Sequence, residues 1–63
     1  MGAIERNGFR FVPEYSVSHQ NGAIHVYNKD RLIEEIQFQF SGDFPELDQI
    51  EDLVDEYCNK REI

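Results

Sequence analysis

The apolar residues of this chain change period once, between residues 40 and 47, and that change limits the fold more than any other feature. Ile36, Phe38 and Phe40 alternate with Gln37 and Gln39, the period of two that marks a half-buried strand. From Leu47 onward the spacing is helical. A step of 100° per residue gathers Leu53, Tyr57, Ile50, Val54, Leu47 and Cys58 into one arc of about 140°, the stripe of a helix lying on a core. The spacing predicts a helix over residues 47–60, with Arg61 the only charged residue in its apolar arc. "SGDFP" separates the two periods. Pro45 suits a first helical turn, and Asp48 followed by Glu51 resembles a capping box, so either marks the start.

Three turn signals divide the chain before residue 40. "ERNGFR" and "HQNGAI" each contain Asn-Gly, the strongest short hairpin signal, because both turn residues must take positive φ. With Asn7-Gly8 as a two-residue loop, Ile4 faces Phe11 and Glu5 faces Arg10, a favourable pair. With Asn21-Gly22 as a two-residue loop, Val17 faces Val26, His19 faces Ile24, Ser18 faces His25 and Ser16 faces Tyr27. The apolar residues then share one face. Pro13 interrupts the second strand and belongs at a bend or on an edge. "YNKDR" is the third turn. In "LIEEIQFQF" Glu34 breaks the alternation. A bulge at Glu34-Glu35 repairs it, with Ile33 inward beside Val26 and both acids outward near His25.

These elements define one small α+β domain over residues 1–63. It is a three- to four-stranded antiparallel β-meander, its first strand short, with one C-terminal amphipathic helix packed on one face. A chain of 63 residues buries only about 60% of the surface that its unfolded form exposes, so its core is thin and further buried surface is valuable.

Charge is uneven along the chain. The formal net charge is −7. Residues 1–42 hold five acids against four cations; residues 43–63 hold eight acids against Lys60 and Arg61. Direct binding to nucleic acid or to an anionic membrane needs a basic patch, and this sequence offers none. No apolar run approaches the roughly 20 residues of a membrane span. A secretory signal pattern is absent. "MGAIER" has the Gly2 of a myristoylation site, but Arg6 stands where Ser or Thr is expected. The single Cys forbids an internal disulfide and points to a reducing, cytoplasmic setting.

Candidate chemistry is sparse. A reactive thiolate needs a helix N-terminus or nearby cations. Cys58 lies near a helix C-terminus among Asp55, Glu56 and Glu62, with Lys60 and Arg61 also near, and reads as a small apolar residue at the core edge. His19 and His25 point to opposite faces in the register above, with His19 beside the first turn. No Cys/His spacing suits zinc, and no acidic loop suits calcium. The remaining ligand option is weak: His25 with Glu34 or Glu35 for a metal or small molecule. The helical carboxylates share one solvated face, whereas acid–base catalysis needs carboxyls in different environments within a cleft. The chain has no phosphate loop, nucleophile elbow or Ser/His/Asp set. No enzyme activity, cofactor or resident metal is expected.

Two surfaces remain. Tyr27 and Val12, with Leu32, fall on the sheet face away from the helix and form a small apolar patch suited to self-association. Asp48, Glu51, Asp52, Asp55 and Glu56 occupy an arc of about 140° opposite the helix's apolar stripe. Such a charge run is ordinarily a solvated face. It contains three repulsive i,i+4 pairs (Asp48–Asp52, Glu51–Asp55, Asp52–Glu56) and one attractive pair, Glu56–Lys60. Each like pair costs roughly 0.2–0.5 kcal/mol. Solubility explains that cost first, and attraction to a basic partner second.

The run "GAIHVYNKDRLIEEIQFQFSG" followed by "IEDLVDEYC" is similar to short uncharacterised proteins of Bacillus and its relatives, of the YbxH type. The resemblance covers most of the chain. It implies a bacterial cytosolic protein of unknown function and transfers no site residues. The functional expectation is a non-enzymatic protein acting through an unknown protein partner or a second copy of itself. An alternative is an acidic decoy or regulator that binds a basic protein through the 47–60 helix.

Overall fold

The computed structural model describes residues 2–62. Four strands run in chain order across one antiparallel sheet: β1 (Ile4–Arg6), β2 (Phe9–Ser16), β3 (Asn21–Asn28) and β4 (Arg31–Gln39). Helix α1 (Leu47–Arg61) follows and covers one sheet face. This is the meander with one C-terminal helix that the periodicities predict.

Two of the three hairpin turns follow from local chemistry. Asn7 and Gly8 have φ of 52° and 84°, and Lys29 and Asp30 have 53° and 64°. Positive φ at both positions is the mirror-image turn whose twist matches its flanking strands. Ile4 stands opposite Phe11 and Glu5 opposite Arg10, as the sequence predicts. Pro13 lies beyond the end of β1, on an open stretch of the β2 edge where a missing N–H breaks no ladder.

The turn between β2 and β3 is elsewhere than expected. It occupies residues 17–20, and Asn21 and Gly22 lie inside β3. Phe11, not Val17, stands opposite Val26, Pro13 opposite Ile24, and Arg10, not Ser16, opposite Tyr27. The strand slides by six residues against the predicted register. Six is even, so every side chain of β3 keeps its predicted face. Gln20 holds this turn together. Its backbone takes φ 57°, and its Nε2 donates to the carbonyls of Val17 (2.9 Å) and Gly42 (2.8 Å). Its Oε1 accepts from the Gly42 N–H at 2.9 Å, and its carbonyl accepts from the Phe40 N–H at 3.1 Å. One amide therefore ties the β2–β3 turn to the segment leading into α1.

Gly22 answers to packing rather than to a turn. It stands opposite Tyr15 and Phe38. A Cβ built on it would lie 2.4 Å from the Glu14 carbonyl oxygen and 2.7 Å from Phe38 Cζ.

The bulge in β4 is real but displaced. Val26 pairs with Glu34 and Tyr27 with Leu32, so Ile33 is the extra residue, and it is exposed. Glu35, opposite His25, faces outward as predicted. Glu34 instead shares the helix side with Val26, where it accepts a hydrogen bond from Arg61 Nη2. That cross-element partner explains the break in alternation: a carboxylate is tolerated near the core where a guanidinium from the helix end meets it.

The core joins Phe11, Ile24, Val26, Phe38 and Phe40 of the sheet side to Ile50, Val54, Tyr57 and Cys58 of the helix. Phe11, Ile24, Val26, Ile50 and Val54 are wholly buried, each contributing about 1.5–3 kcal/mol of transfer free energy. Tyr57 meets Phe11 edge-on at 5.7 Å. Leu53 packs at the margin. Leu47, predicted for the stripe, is 56% exposed, because the first helical residue lies at the rim of the sheet. Neither start signal is the cap. Glu46 occupies the N-cap without a side-chain bond, and Asp48 sits in the first turn. Pro45 precedes the cap and is buried.

Candidate functional site

The uncovered sheet face follows from strand alternation. Val12, His25 and Glu35 lie in one cross-strand row, and Arg10, Tyr27 and Leu32 in the next. Val12, Tyr27 and Leu32 are thus on one face, as predicted. Arg10 sets its guanidinium over the Tyr27 ring at 5.5 Å, a cation–π contact that covers part of the patch. His25 Nδ1 is 2.9 Å from Glu14 Oε2, and its Nε2 is 3.8 Å from Glu35 Oε2. The carboxylates flank opposite ring nitrogens, so a cation on either nitrogen meets only one of them. Glu34, offered with Glu35 as a His25 partner, is on the other face. Among the described residues, no group of three or more His, Cys, Asp or Glu is placed to hold a metal ion. His19 is in the 17–20 turn, where its Nδ1 is 3.0 Å from Ser16 Oγ.

The helix's acidic face is less uniform than its sequence. Asp55 accepts a hydrogen bond from Arg6 Nη1 across to β1, and this pairing pushes the Arg6 guanidinium further up. Glu56 Oε1 lies 3.7 Å from Lys60 Nζ. Asp48, Glu51 and Asp52 make no ion pair among the described residues. Cys58 is buried, deeper than the edge position predicted. Arg61 stands over the Tyr57 ring at 5.2 Å. Burial pushes the Tyr57 phenol above its ordinary value of 10.0. The Glu34 carboxylate adds to this and Arg61 opposes it.

Concave space is limited. A groove of about 240 Å3 runs between β4 and α1, lined by Glu34, Glu35, Ile36, Leu53, Glu56, Tyr57 and Lys60. It is below the roughly 300–1,000 Å3 of small-molecule sites, and Arg61 already engages its Glu34. Hollows of about 360, 470 and 370 Å3 beside Gln20, Gly22 and Arg31 are larger but lie open on the surface.

The exposed apolar residues are placed more tellingly. Among the described residues, six large ones are at least 42% exposed: Tyr15, Val17, Leu32, Ile33, Phe44 and Leu47. Tyr15 and Val17 border the β2–β3 turn, and Phe44 and Leu47 border the segment that Gln20 ties to it. Leu32 and Ile33 follow the β3–β4 turn at the opposite end. Sequence reasoning singled out only Leu32. The signal was available: neither 13–23 nor 37–50 contains a Lys or Arg.

A family model described as "Family of unknown function (DUF5370)" matches residues 1–63. The chain belongs to this family. A relative, "Uncharacterized protein YbxH" of Bacillus subtilis (strain 168), is 57% identical over 63 residues, covering 100% of both chains. This bears out the resemblance drawn from residues 22–42 and 50–58. No solved structure matches. No helix among the described residues of this DUF5370 chain is long and apolar enough to cross a membrane.

Proposed function

We propose that this is a non-enzymatic cytoplasmic protein that works through protein–protein contacts and associates with itself. The layering carries the reading: one helix covers one sheet face, and the other face leaves Val12, Tyr27 and Leu32 without a covering layer. A chain with so small a core gains stability from any further apolar burial. Sedimentation equilibrium from micromolar to millimolar protein tests it. A mass that rises with concentration is expected, and a monomer throughout would sink the self-association.

A second reading is favoured by the carboxylates of Asp48, Glu51 and Asp52, which make no ion pair among the described residues. In it, this stretch of α1 attracts a basic protein. Capture from native cytosol with the wild type and an Asp48→Lys/Asp52→Lys variant decides it; identical partner sets would remove it.

A further inference from the structure

We infer that Asn7 is a site of spontaneous backbone modification, closing on Gly8 to a succinimide that water opens to isoaspartate or aspartate. Asn21 precedes a glycine in the same way and is held back by the sheet.

The chain has four Asn. Asn28 and Asn59 precede Lys, whereas Asn7 and Asn21 precede Gly. The reaction needs the next residue's backbone nitrogen to reach the Asn Cγ. A side chain on that next residue obstructs the approach. Glycine has none, and its backbone takes the widest range of angles. By sequence alone, Asn7 and Asn21 are equal candidates.

The fold makes them unequal. Asn7 and Gly8 form the exposed two-residue turn between β1 and β2. Neither the Asn7 side-chain amide nor the Gly8 N–H makes a hydrogen bond among the described residues. Nothing lies within 4 Å of the position that a Gly8 Cβ would take. β1 has three residues and pairs on one side only, so the turn is freed whenever that short strand frays. Asn21 and Gly22 lie in β3, between β2 and β4. Asn21 stands opposite Ser16 and Gln39, and Gly22 opposite Tyr15 and Phe38. A strand between two others commits each N–H to one ladder or the other. Turning the Gly22 nitrogen toward Asn21 would break that pairing, beside the Gln20 bonds to residue 42. An opening of that depth lies toward the global end of the scale.

The chemistry at Asn7 needs only water. The Gly8 nitrogen gives up its proton and attacks Asn7 Cγ. The N–Cγ bond forms, the Cγ–Nδ2 bond breaks, and ammonia leaves with a proton. Water then adds at one of the two ring carbonyls. Breaking the new N–Cγ bond leaves aspartate at position 7. Breaking the original peptide bond leaves isoaspartate, with the main chain now routed through Cβ and Cγ. Either product places a carboxylate two residues from Glu5. Isoaspartate also lengthens the main chain by one carbon inside a two-residue turn, which the register of Ile4 opposite Phe11 and Glu5 opposite Arg10 does not accommodate. β1 is then held chiefly by the Arg6 bond to Asp55, and it loosens.

Ageing of the purified protein at mildly alkaline pH, native and in urea, tests this, with fragmentation mass spectrometry to place the amide-to-acid mass gain. In the native protein Asn7 should convert about tenfold or more faster than Asn21, because β3 requires the deeper opening. In urea the two should convert at similar rates, because only the fold distinguishes them. Equal native rates, a faster Asn21, a native Asn7 as slow as Asn28 and Asn59, or a urea difference as large as the native one would overturn the assignment. The isoaspartate form, separated by ion exchange, is then compared with fresh protein by amide hydrogen exchange. Exchange at residues 4–6 should quicken by about tenfold or more. Unchanged exchange there would overturn the loosening of β1.

Discussion

Gly22→Ala separates a packing glycine from a turn glycine. At Gly22 the added methyl would meet a backbone oxygen at 2.4 Å and the tip of Phe38 at 2.7 Å, with Tyr15 Cβ at 3.0 Å. Phe38 is nearly buried, and the Glu14 carbonyl belongs to the neighbouring strand, so neither has free room to retreat. Overpacking of this kind costs about 1–3 kcal/mol. The loss of unfolded-state freedom returns about 0.4–1 kcal/mol to alanine. A net loss of about 1.3 kcal/mol follows, and at about 4–8 °C per kcal/mol for a domain this size Tm falls by about 5–10 °C. That is a large share of the roughly 3–9 kcal/mol expected for 63 residues. Urea and thermal unfolding followed by circular dichroism measure it, with Gly8→Ala as the comparison. Gly8 has φ 84° and open space around its Cβ position, so its substitution costs about 1–2 kcal/mol from conformation alone. Valine at position 22 should be worse than alanine, because size is what the site rejects. A Gly22→Ala protein as stable as wild type would refute the packing argument.

The other predictions concern the loop tie, the phenol and the acidic face. Gln20→Ala removes three hydrogen bonds between the β2–β3 turn and residue 42 or within that turn, and urea unfolding should show a loss of about 1–2 kcal/mol. Tyr57 has a folded pKa above its unfolded value. Its stabilising contribution is complete below about pH 10 and is lost as pH rises through the folded value, when the unfolded chain has already released its proton. Tyr57→Phe should flatten that alkaline fall in Tm, and phenolate absorbance should show one tyrosine titrating late. Asp52→Lys converts two repulsive i,i+4 pairs on an exposed helical face into attractive ones, so Tm should rise by several degrees for about 0.5–1.5 kcal/mol in all. Added salt should erode that gain.

Local periodicity carried the fold because most of its determinants are local. The stripe of Ile50, Val54, Tyr57 and Cys58, the Asn7-Gly8 hairpin and the alternation through Phe40 each depend on neighbours within a few residues. What was misread depended on distant partners. Asn21-Gly22 has the composition of a turn, but its glycine is required by a carbonyl and a ring on neighbouring strands. The actual turn, "VSHQ", has no Gly, Pro or Asn, and Gln20 holds its positive φ by bonding to residue 42. Glu34 looked outward because Arg61, 27 residues later, is invisible to a pattern of period two. The candidate surfaces were half legible. The acidic helix face was plain, but Arg6 and Lys60 neutralise part of it. Leu47 looked like a core residue until the sheet ended short of it, and Phe44 belonged to neither period.

The displaced bulge at Ile33 also bears on what the sheet does not do. β4 is an edge strand of nine residues, long enough to template a strand from another molecule and start a fibril. The extra residue divides that edge and increases its local twist. Glu34 and Glu35 follow immediately, so an incoming identical edge would bring carboxylates toward carboxylates. The edge-to-edge route to amyloid is therefore obstructed within those few residues.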